Sequence, residues 1–277
     1  MHHCQRIGAR VSFVRDVLGV PLPKRRLIRE RLLALTTSAN PHPLFVFGNQ
    51  KSGTTAIAAL LAVATRKSVT LDFAGAEHPY ATALLSGATP VAEFVRRNSW
   101  ALSSQVIKEP TLTFVAPQLM DYFGVEKAVF IVRDPYVNIR SILVRQKLRG
   151  DLETLPERVR LNPTWRKILS GEDLGLSKAH YIDILAWRWL RAVEILQANR
   201  ERFVLVRYEE FLKDKKSKIA EIARAFGLEV VDDVTPLLEV EYQRRDKVSE
   251  APNLFFGANY GRIDKICGSA AKGLGYP

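Results

Sequence analysis

The chain of 277 residues is long enough for one large α/β domain and short for two independent ones. Hydrophobic residues make up 47% and charged residues 25%, an ordinary globular balance, and no internal repeat or low-complexity tract appears. Lys and Arg number 41 against 29 Asp and Glu, a net of +12, which suggests an anionic partner: nucleic acid, a membrane surface or anionic small molecules.

No recognisable DNA- or RNA-binding motif accompanies the charge, so nucleic acid is not the expected partner. No apolar run reaches about 18 residues, so no transmembrane helix is indicated. Charges interrupt residues 11–20 before a signal-peptide core can build, and the expected location is the cytoplasm. Cys4 and Cys267 sit at opposite ends with no metal-ligand spacing, and read as free thiols in a reducing compartment. His2 and His3 beside Cys4 read as part of a terminal segment, not a metal site.

Residues 1–43 read as a basic N-terminal arm ahead of a main domain over 44–277. Within the arm, residues 24–33 are basic and helical in pattern, with Ile28, Leu32 and Leu35 on one face. That helix either lies on a membrane surface or over a substrate, or packs on the domain with its basic residues in water. A β-type run over residues 44–47 leads through a loop to an Ala- and Leu-rich helix over 54–64. Further β-type runs cover 68–73 and 103–107, followed by a helix over 111–123, an apolar strand over 128–132 and a helix over 134–146. Residues 150–177 read as a loop-rich insertion near an acceptor site. A long helix over 180–199, a strand over 203–206 and a helix over 209–226 complete the pattern. Alternating strands and helices predict an α/β fold with a central parallel sheet flanked by helices.

The strongest local signal is Gly48-Asn49-Gln50-Lys51-Ser52-Gly53-Thr54-Thr55, between a predicted strand and a predicted helix. Such a turn exposes backbone N–H groups at a helix N-terminus, where the dipole favours an anion. Gly53 admits close backbone approach, Thr54 and Thr55 add hydroxyls, and Lys51 adds a charge. A nucleoside-triphosphate loop would need a lysine after the second glycine, where this chain has Thr54.

Gln50-Lys51-Ser52-Gly53-Thr54-Thr55 resembles the 5′-phosphosulfate loop of sulfotransferases that use 3′-phosphoadenosine-5′-phosphosulfate (PAPS), typically Pro-Lys-Ser-Gly-Thr-Thr and often followed by Trp. Gln50 departs from the common Pro, and Ala56 from the Trp that stacks on adenine. The second departure points to the carbohydrate or bacterial branches of the family. Arg133 at the end of a predicted strand, with Ser141 eight residues on, is similar to the family's 3′-phosphate motif. An Arg fork and a hydroxyl suit phosphate oxygens. Residues 106–110 resemble the family's Lys-Thr-Pro or Lys-x-His strand end. Residues 206–211 resemble its Arg-Tyr-Glu-Asp-Leu segment, and 263–277 its C-terminal helix with a Leu-Gly-Tyr ending.

The resemblance implies a P-loop-like fold, PAPS as co-substrate, no metal, and transfer of a sulfuryl group to an acceptor hydroxyl on a carbohydrate or glycolipid. It implies that Lys51, Ser52, Gly53, Thr54, Thr55, Arg133, Ser141 and Tyr208 hold the nucleotide, with Tyr208 against the adenine. Lys51 would stabilise the leaving bisphosphate, and Lys108 is a candidate second cation. The phenol-type base is absent, because Pro110 stands at its place; Glu77 is the preferred base, with His78 its main competitor and Glu109 a weaker third. Two alternatives stay open: a P-loop kinase-like phosphotransferase, and a non-catalytic polyanion- or membrane-binding protein on the same scaffold.

Overall fold

A computed structural model describes residues 23–156, 159–176, 179–242 and 250–277. Cys4, His2, His3 and the first half of the predicted arm lie outside the described residues. Five strands, β1 (Leu44–Gly48), β2 (Val69–Thr70), β3 (Val106–Lys108), β4 (Ala128–Val132) and β5 (Phe203–Arg207), form one parallel sheet in the order β2-β3-β1-β4-β5. Side chains alternate across each strand. Phe45 and Phe47 of β1 and Phe130 and Val132 of β4 enter one core, and Val46, Val129 and Ile131 the other. Both faces of β1 and β4 are buried, which is why these strands are apolar along their whole length.

Helices α2 (Thr54–Ala64) and α10 (Lys215–Ala225) cover one face through Ile57, Leu60, Leu61, Ile219 and Ile222. Helices α6 (Pro135–Arg145), α8 (Tyr181–Ala198) and α12 (Tyr260–Gly273) cover the other through Ile139, Leu143, Leu185, Trp189 and Ile263. The helix after β1 and the helix after β4 therefore lie on opposite faces of two adjacent strands. That arrangement opens a crevice at the carboxyl ends of β1 and β4, the usual ligand position in an open parallel sheet.

The remaining helices are α1 (Pro23–Ala34), α3 (Tyr80–Leu85), α4 (Val91–Arg97), α5 (Ala116–Tyr122), α7 (Pro163–Ser170), α9 (Tyr208–Lys213) and α11 (Pro252–Phe256). Several differ from the sequence-based expectation. The run 68–73 pairs only at Val69 and Thr70, and the run 103–107 shifts to Val106–Lys108 behind a 3-10 turn at Ala101–Ser103. The helix expected over 111–123 divides into a 3-10 segment, Pro110–Val115, and α5, because Pro117 has no N–H to bond back to the preceding turn. The helix expected over 209–226 divides at Asp214, whose side chain accepts from Ser217 N and starts α10 afresh. The insertion 150–177 is not all loop: Asn162 caps α7 by accepting from Trp165 N, and Glu172–Leu174 forms a 3-10 turn. Helices α3 and α4 lie between β2 and β3, where no helix was expected.

Candidate active site

The turn 49–53 joins β1 to α2 at the crevice. Gly48 has φ 147°, and a Cβ there would lie 2.6 Å from Ile131 O, so only glycine lets β1 and β4 meet at their ends. Thr113 fixes that strand end by accepting from Gly48 N at 2.9 Å and donating to Gly48 O at 3.0 Å. Lys51 takes a left-handed φ of 66° and Gly53 one of 91°. Holding a non-glycine residue there requires outside support. Asn138 of α6 provides much of it, donating to Gln50 O at 2.9 Å and Ser52 Oγ at 3.1 Å, while its Oδ1 accepts from Asn49 Nδ2 at 2.9 Å. Gly53 begins α2 with no side-chain cap, so the first N–H groups of that helix face the turn with no side chain bonded to them from the cap position. Ser52, Thr54 and Thr55 are buried around it.

Arg133 leaves the end of β4 beside this turn. Its Nη1 donates to Lys51 O at 2.9 Å, and its guanidinium lies 4.7 Å from the centre of the Tyr208 ring. Burial lowers the guanidinium's affinity for its proton, and the neighbouring Tyr208 and Glu209 oppose that. Arg133 Nε is buried with no hydrogen-bond partner, a donor that fits an anion in the crevice. Its backbone is held by Trp189 Nε1, which donates to Arg133 O at 2.9 Å. Ser141 is half-buried on α6, six residues into the helix, a rise of roughly 9 Å.

Tyr208, the first residue of α9 after β5, lies against the turn. A Cβ at Gly53 would lie 2.2 Å from Tyr208 Cε2, so ring and turn are in close contact. Gly53→Ala should therefore destabilise the protein and weaken anion binding at the turn by at least tenfold, through strain at positive φ and displacement of Tyr208. Thermal unfolding with and without adenosine 3′,5′-bisphosphate (PAP) measures both; an unchanged midpoint and unchanged ligand shift would refute it. The neighbouring Glu209 accepts from Asp134 N at 3.0 Å and from Tyr276 Oη at 2.9 Å. The C-terminal Leu-Gly-Tyr thus packs on the segment 206–211, and two stretches singled out separately in the sequence form one joint.

A second group of charges lies at the ends of β2 and β3. Lys108 is 1% exposed, so it is not a solvated lysine, and its Nζ bonds Asp72 Oδ1 at 2.8 Å. Glu109 accepts from Thr111 N at 3.0 Å. Burial first, then Asp72, pushes its carboxyl up to about 8, against the pull of Lys108. Between the ordinary carboxylate range and that value the folded state holds a proton the unfolded chain has released, so stability falls as pH rises through this window. Glu109→Gln should remove that part of the pH dependence; melting curves at pH 5, 6.5 and 8 with parallel slopes in both proteins would contradict it.

Glu77 follows the 3-10 turn Ala74–Ala76 and is half-buried. Desolvation raises its pKa, Arg26 lowers it, and Glu30 and Asp72 raise it further. Arg26 and Glu30 belong to α1, which docks on this segment: Glu30 accepts from Arg26 Nε at 2.8 Å and from Ala74 N at 2.8 Å, and Arg26 Nη2 donates to Asp72 O. His78 Nδ1 is 3.0 Å from Thr82 Oγ1, and the backbone N–H of His78 donates to Thr164 Oγ1 at 3.0 Å. The sheet order brings Lys51, Arg133 and Tyr208 together at one end of the crevice, and Lys108, Glu109 and Glu77 to the same sheet edge on the β3 and β2 side. Sequence reasoning missed Asn138, Thr113, Asp72, Arg26, Glu30 and Arg188. Asn138 carried a weak local signal, a polar residue on the buried face of α6 next to Ile139 and Ile142. Among the described residues no group of three or more His, Cys, Asp or Glu could hold a metal ion, and no helix is long and apolar enough to cross a membrane.

No family model matches the chain, and no curated protein matches it. Solved structures do. A sulfotransferase of Mycobacterium avium aligns with a TM-score of 0.54 at 14% identity, over 97% of this chain and 86% of that one. A sulfotransferase of Mycobacterium tuberculosis aligns at 0.51 and 15% identity, over 91% and 83%. A mouse sulfotransferase complexed with PAP aligns at 0.51 and 14% identity, over 90% of each chain. With one parallel five-stranded sheet flanked by helices on both faces, this chain has the sulfotransferase fold.

Proposed function

We propose that this chain is a sulfotransferase that moves a sulfuryl group from PAPS to an acceptor hydroxyl, carried on a carbohydrate or glycolipid. The observation that carries the reading is the pairing of the uncapped start of α2 with Arg133, whose Nη1 reaches Lys51 O while its Nε stays unpartnered. Two anion-holding groups at the ends of adjacent strands suit a nucleotide with phosphates at both ends. The residues present fit that ligand: residues 51–55 of the turn would hold the 5′ side, Arg133 and Ser141 the 3′-phosphate, and Tyr208 the base. When bound, PAPS supplies an activated sulfuryl group.

The chain's own contribution is position and charge. Glu77 takes the acceptor proton as the acceptor oxygen bonds sulfur, and the bond from sulfur to the 5′-phosphate oxygen breaks. Lys51 meets the charge that builds on the leaving phosphate. Lys108 orders Asp72, and through it the segment leading to Glu77.

The test is binding followed by transfer. PAP should raise the melting temperature more than ATP with Mg²⁺, and labelled PAPS should pass its sulfuryl group to a member of a carbohydrate and glycolipid acceptor panel. A preference for ATP with Mg²⁺ would favour the kinase-like reading. PAP binding with no transfer to any acceptor would favour the non-catalytic one.

The outward face of α1 supports a membrane-borne acceptor. Ile28, Leu32 and Leu35 are 60%, 61% and 80% exposed on the side opposite Glu30, with exposed Arg25 and Arg29 beside them and Arg96 and Arg97 on the adjacent α4. Apolar side chains ringed by arginines fit an anionic lipid surface. Leu32→Glu should cut binding to phosphatidylserine-containing vesicles by about tenfold or more, given the cost of burying a charge in place of an apolar side chain. Equal binding by both proteins, or no vesicle binding by either, would remove the membrane from the proposal.

A further inference from the structure

Helix α8 buries Ile182, Leu185, Trp189, Ala192 and Leu196, yet in the middle of that face stands Arg188, 1% exposed. An arginine at such a depth is costly unless its donors are used. Two of its nitrogens are used: Arg188 Nε donates to Gln50 Oε1 at 3.0 Å and Nη1 donates to Asp173 Oδ2 at 2.5 Å, while Nη2 and Asp173 Oδ1 are buried without a partner, and the guanidinium lies 4.4 Å from the centre of the Phe114 ring. Asp173 is itself 7% exposed, in a short turn between Gly171 and Gly175, both at positive φ. Three side chains thus run, out of water, from the insertion 150–177 to the turn that carries Lys51.

We infer that Asp173, Arg188 and Gln50 form a buried relay by which the insertion positions the phosphate-holding turn, so that nucleotide grip depends on the state of the acceptor side. The inference rests on the nucleotide reading proposed above. None of the three touches the reacting atoms; they are positioning residues. The backbone of Gln50 is fixed from one side by Asn138 and its side chain from the other by Arg188. A proline at this position would stiffen the turn through its own ring. The glutamine side chain adds to the turn's support by reaching across to Arg188, which makes that part of the support conditional on Asp173. The same insertion holds the other half of the site, because Thr164 Oγ1 accepts from the N–H of His78, the residue after Glu77. An acceptor that settles against the insertion therefore acts on the nucleotide turn and on the segment of the candidate base together. Coupling of this kind is reciprocal: nucleotide must tighten acceptor binding by the same factor.

The experiment titrates PAP into wild type, Gln50→Ala, Asp173→Asn, Gln50→Pro and the double variant Gln50→Pro/Asp173→Asn, with melting curves to confirm folding. Gln50→Ala leaves the Arg188–Asp173 pair intact, so it separates the relay from the fold. Gln50→Ala and Asp173→Asn should each weaken PAP binding by about tenfold, the scale of one hydrogen bond to a charged group. Gln50→Pro should bind PAP more tightly than Gln50→Ala, and Asp173→Asn should lose its effect in that background. Wild-type affinity in Gln50→Ala, or an undiminished Asp173→Asn effect in the Gln50→Pro background, overturns the relay. Amide exchange over residues 49–55 reads it without a ligand: exchange should quicken in Gln50→Ala and Asp173→Asn but not in Gln50→Pro, and equal rates in all of them overturn it. A wild type that fails to bind PAP while showing these exchange differences sinks the nucleotide reading and leaves the relay standing.

Discussion

Glu77→Gln should lower turnover by about 10²- to 10⁴-fold, the usual contribution of a positioned general base, while PAP affinity stays within about threefold of wild type. Glu77 follows a short turn after β2 whose backbone is tied to α1 through Glu30 at Ala74 N. Its carboxyl is half out of water, and that desolvation raises its pKa, with Arg26 as the counterweight. A base works only when unprotonated, so kcat/KM should climb with pH through a pKa above the ordinary carboxylate range. That limb should vanish in Glu77→Gln. The two competitors differ in kind. His78 has its ring beside Thr82 and its N–H on Thr164, and Glu109 is buried with Thr111 N bonded to its carboxylate. Full turnover by Glu77→Gln, with the acidic limb moved instead in His78→Asn, would transfer the role to His78.

Elements that are apolar along most of their length were legible in the sequence, because composition alone marks them. Strands β1 and β4 and helices α2 and α8 fall within a residue of their expected limits. The short strands β2 and β3 were not, since two or three paired residues impose no alternation on the residues around them. Helix α7 was announced by Asn162-Pro163, a cap residue followed by a proline at the first helical turn, a signal outweighed by the polar composition around it. The anion turn was legible as a motif, but its support was not. Thr113, Asn138 and Arg188 reach it across 65 to 138 residues of chain, and each looks locally like a stray polar residue in an apolar stretch. The docking of α1 was hidden as well: Ile28 and Leu32 face outward while the acidic Glu30 faces in, the reverse of what helical periodicity suggests.

Arg133→Ala should weaken PAP binding by roughly 10²-fold, more than one neutral hydrogen bond, because a charged fork and a support of the turn are lost together. The fork keeps an unused donor in its unpartnered Nε, and the support is the bond from Nη1 to Lys51 O. The ratio of affinities for PAP and adenosine 5′-phosphate separates the two. These ligands share the 5′ side and differ only in the 3′-phosphate. Loss of turn support weakens both alike, while loss of the fork weakens PAP alone. Arg133→Ala should therefore bring the ratio close to one. Arg133→Lys should recover part of it, since an ammonium keeps the charge and loses the planar geometry. Ser141→Ala should lower the ratio by about tenfold or less, as a single hydroxyl donor. The fold should survive each change, because Arg133 lies at a strand end and the apolar cores on both faces of the sheet do not use its side chain. A variant that weakens PAP and adenosine 5′-phosphate equally would leave Arg133 as a brace for the turn and remove the 3′-phosphate from this pocket.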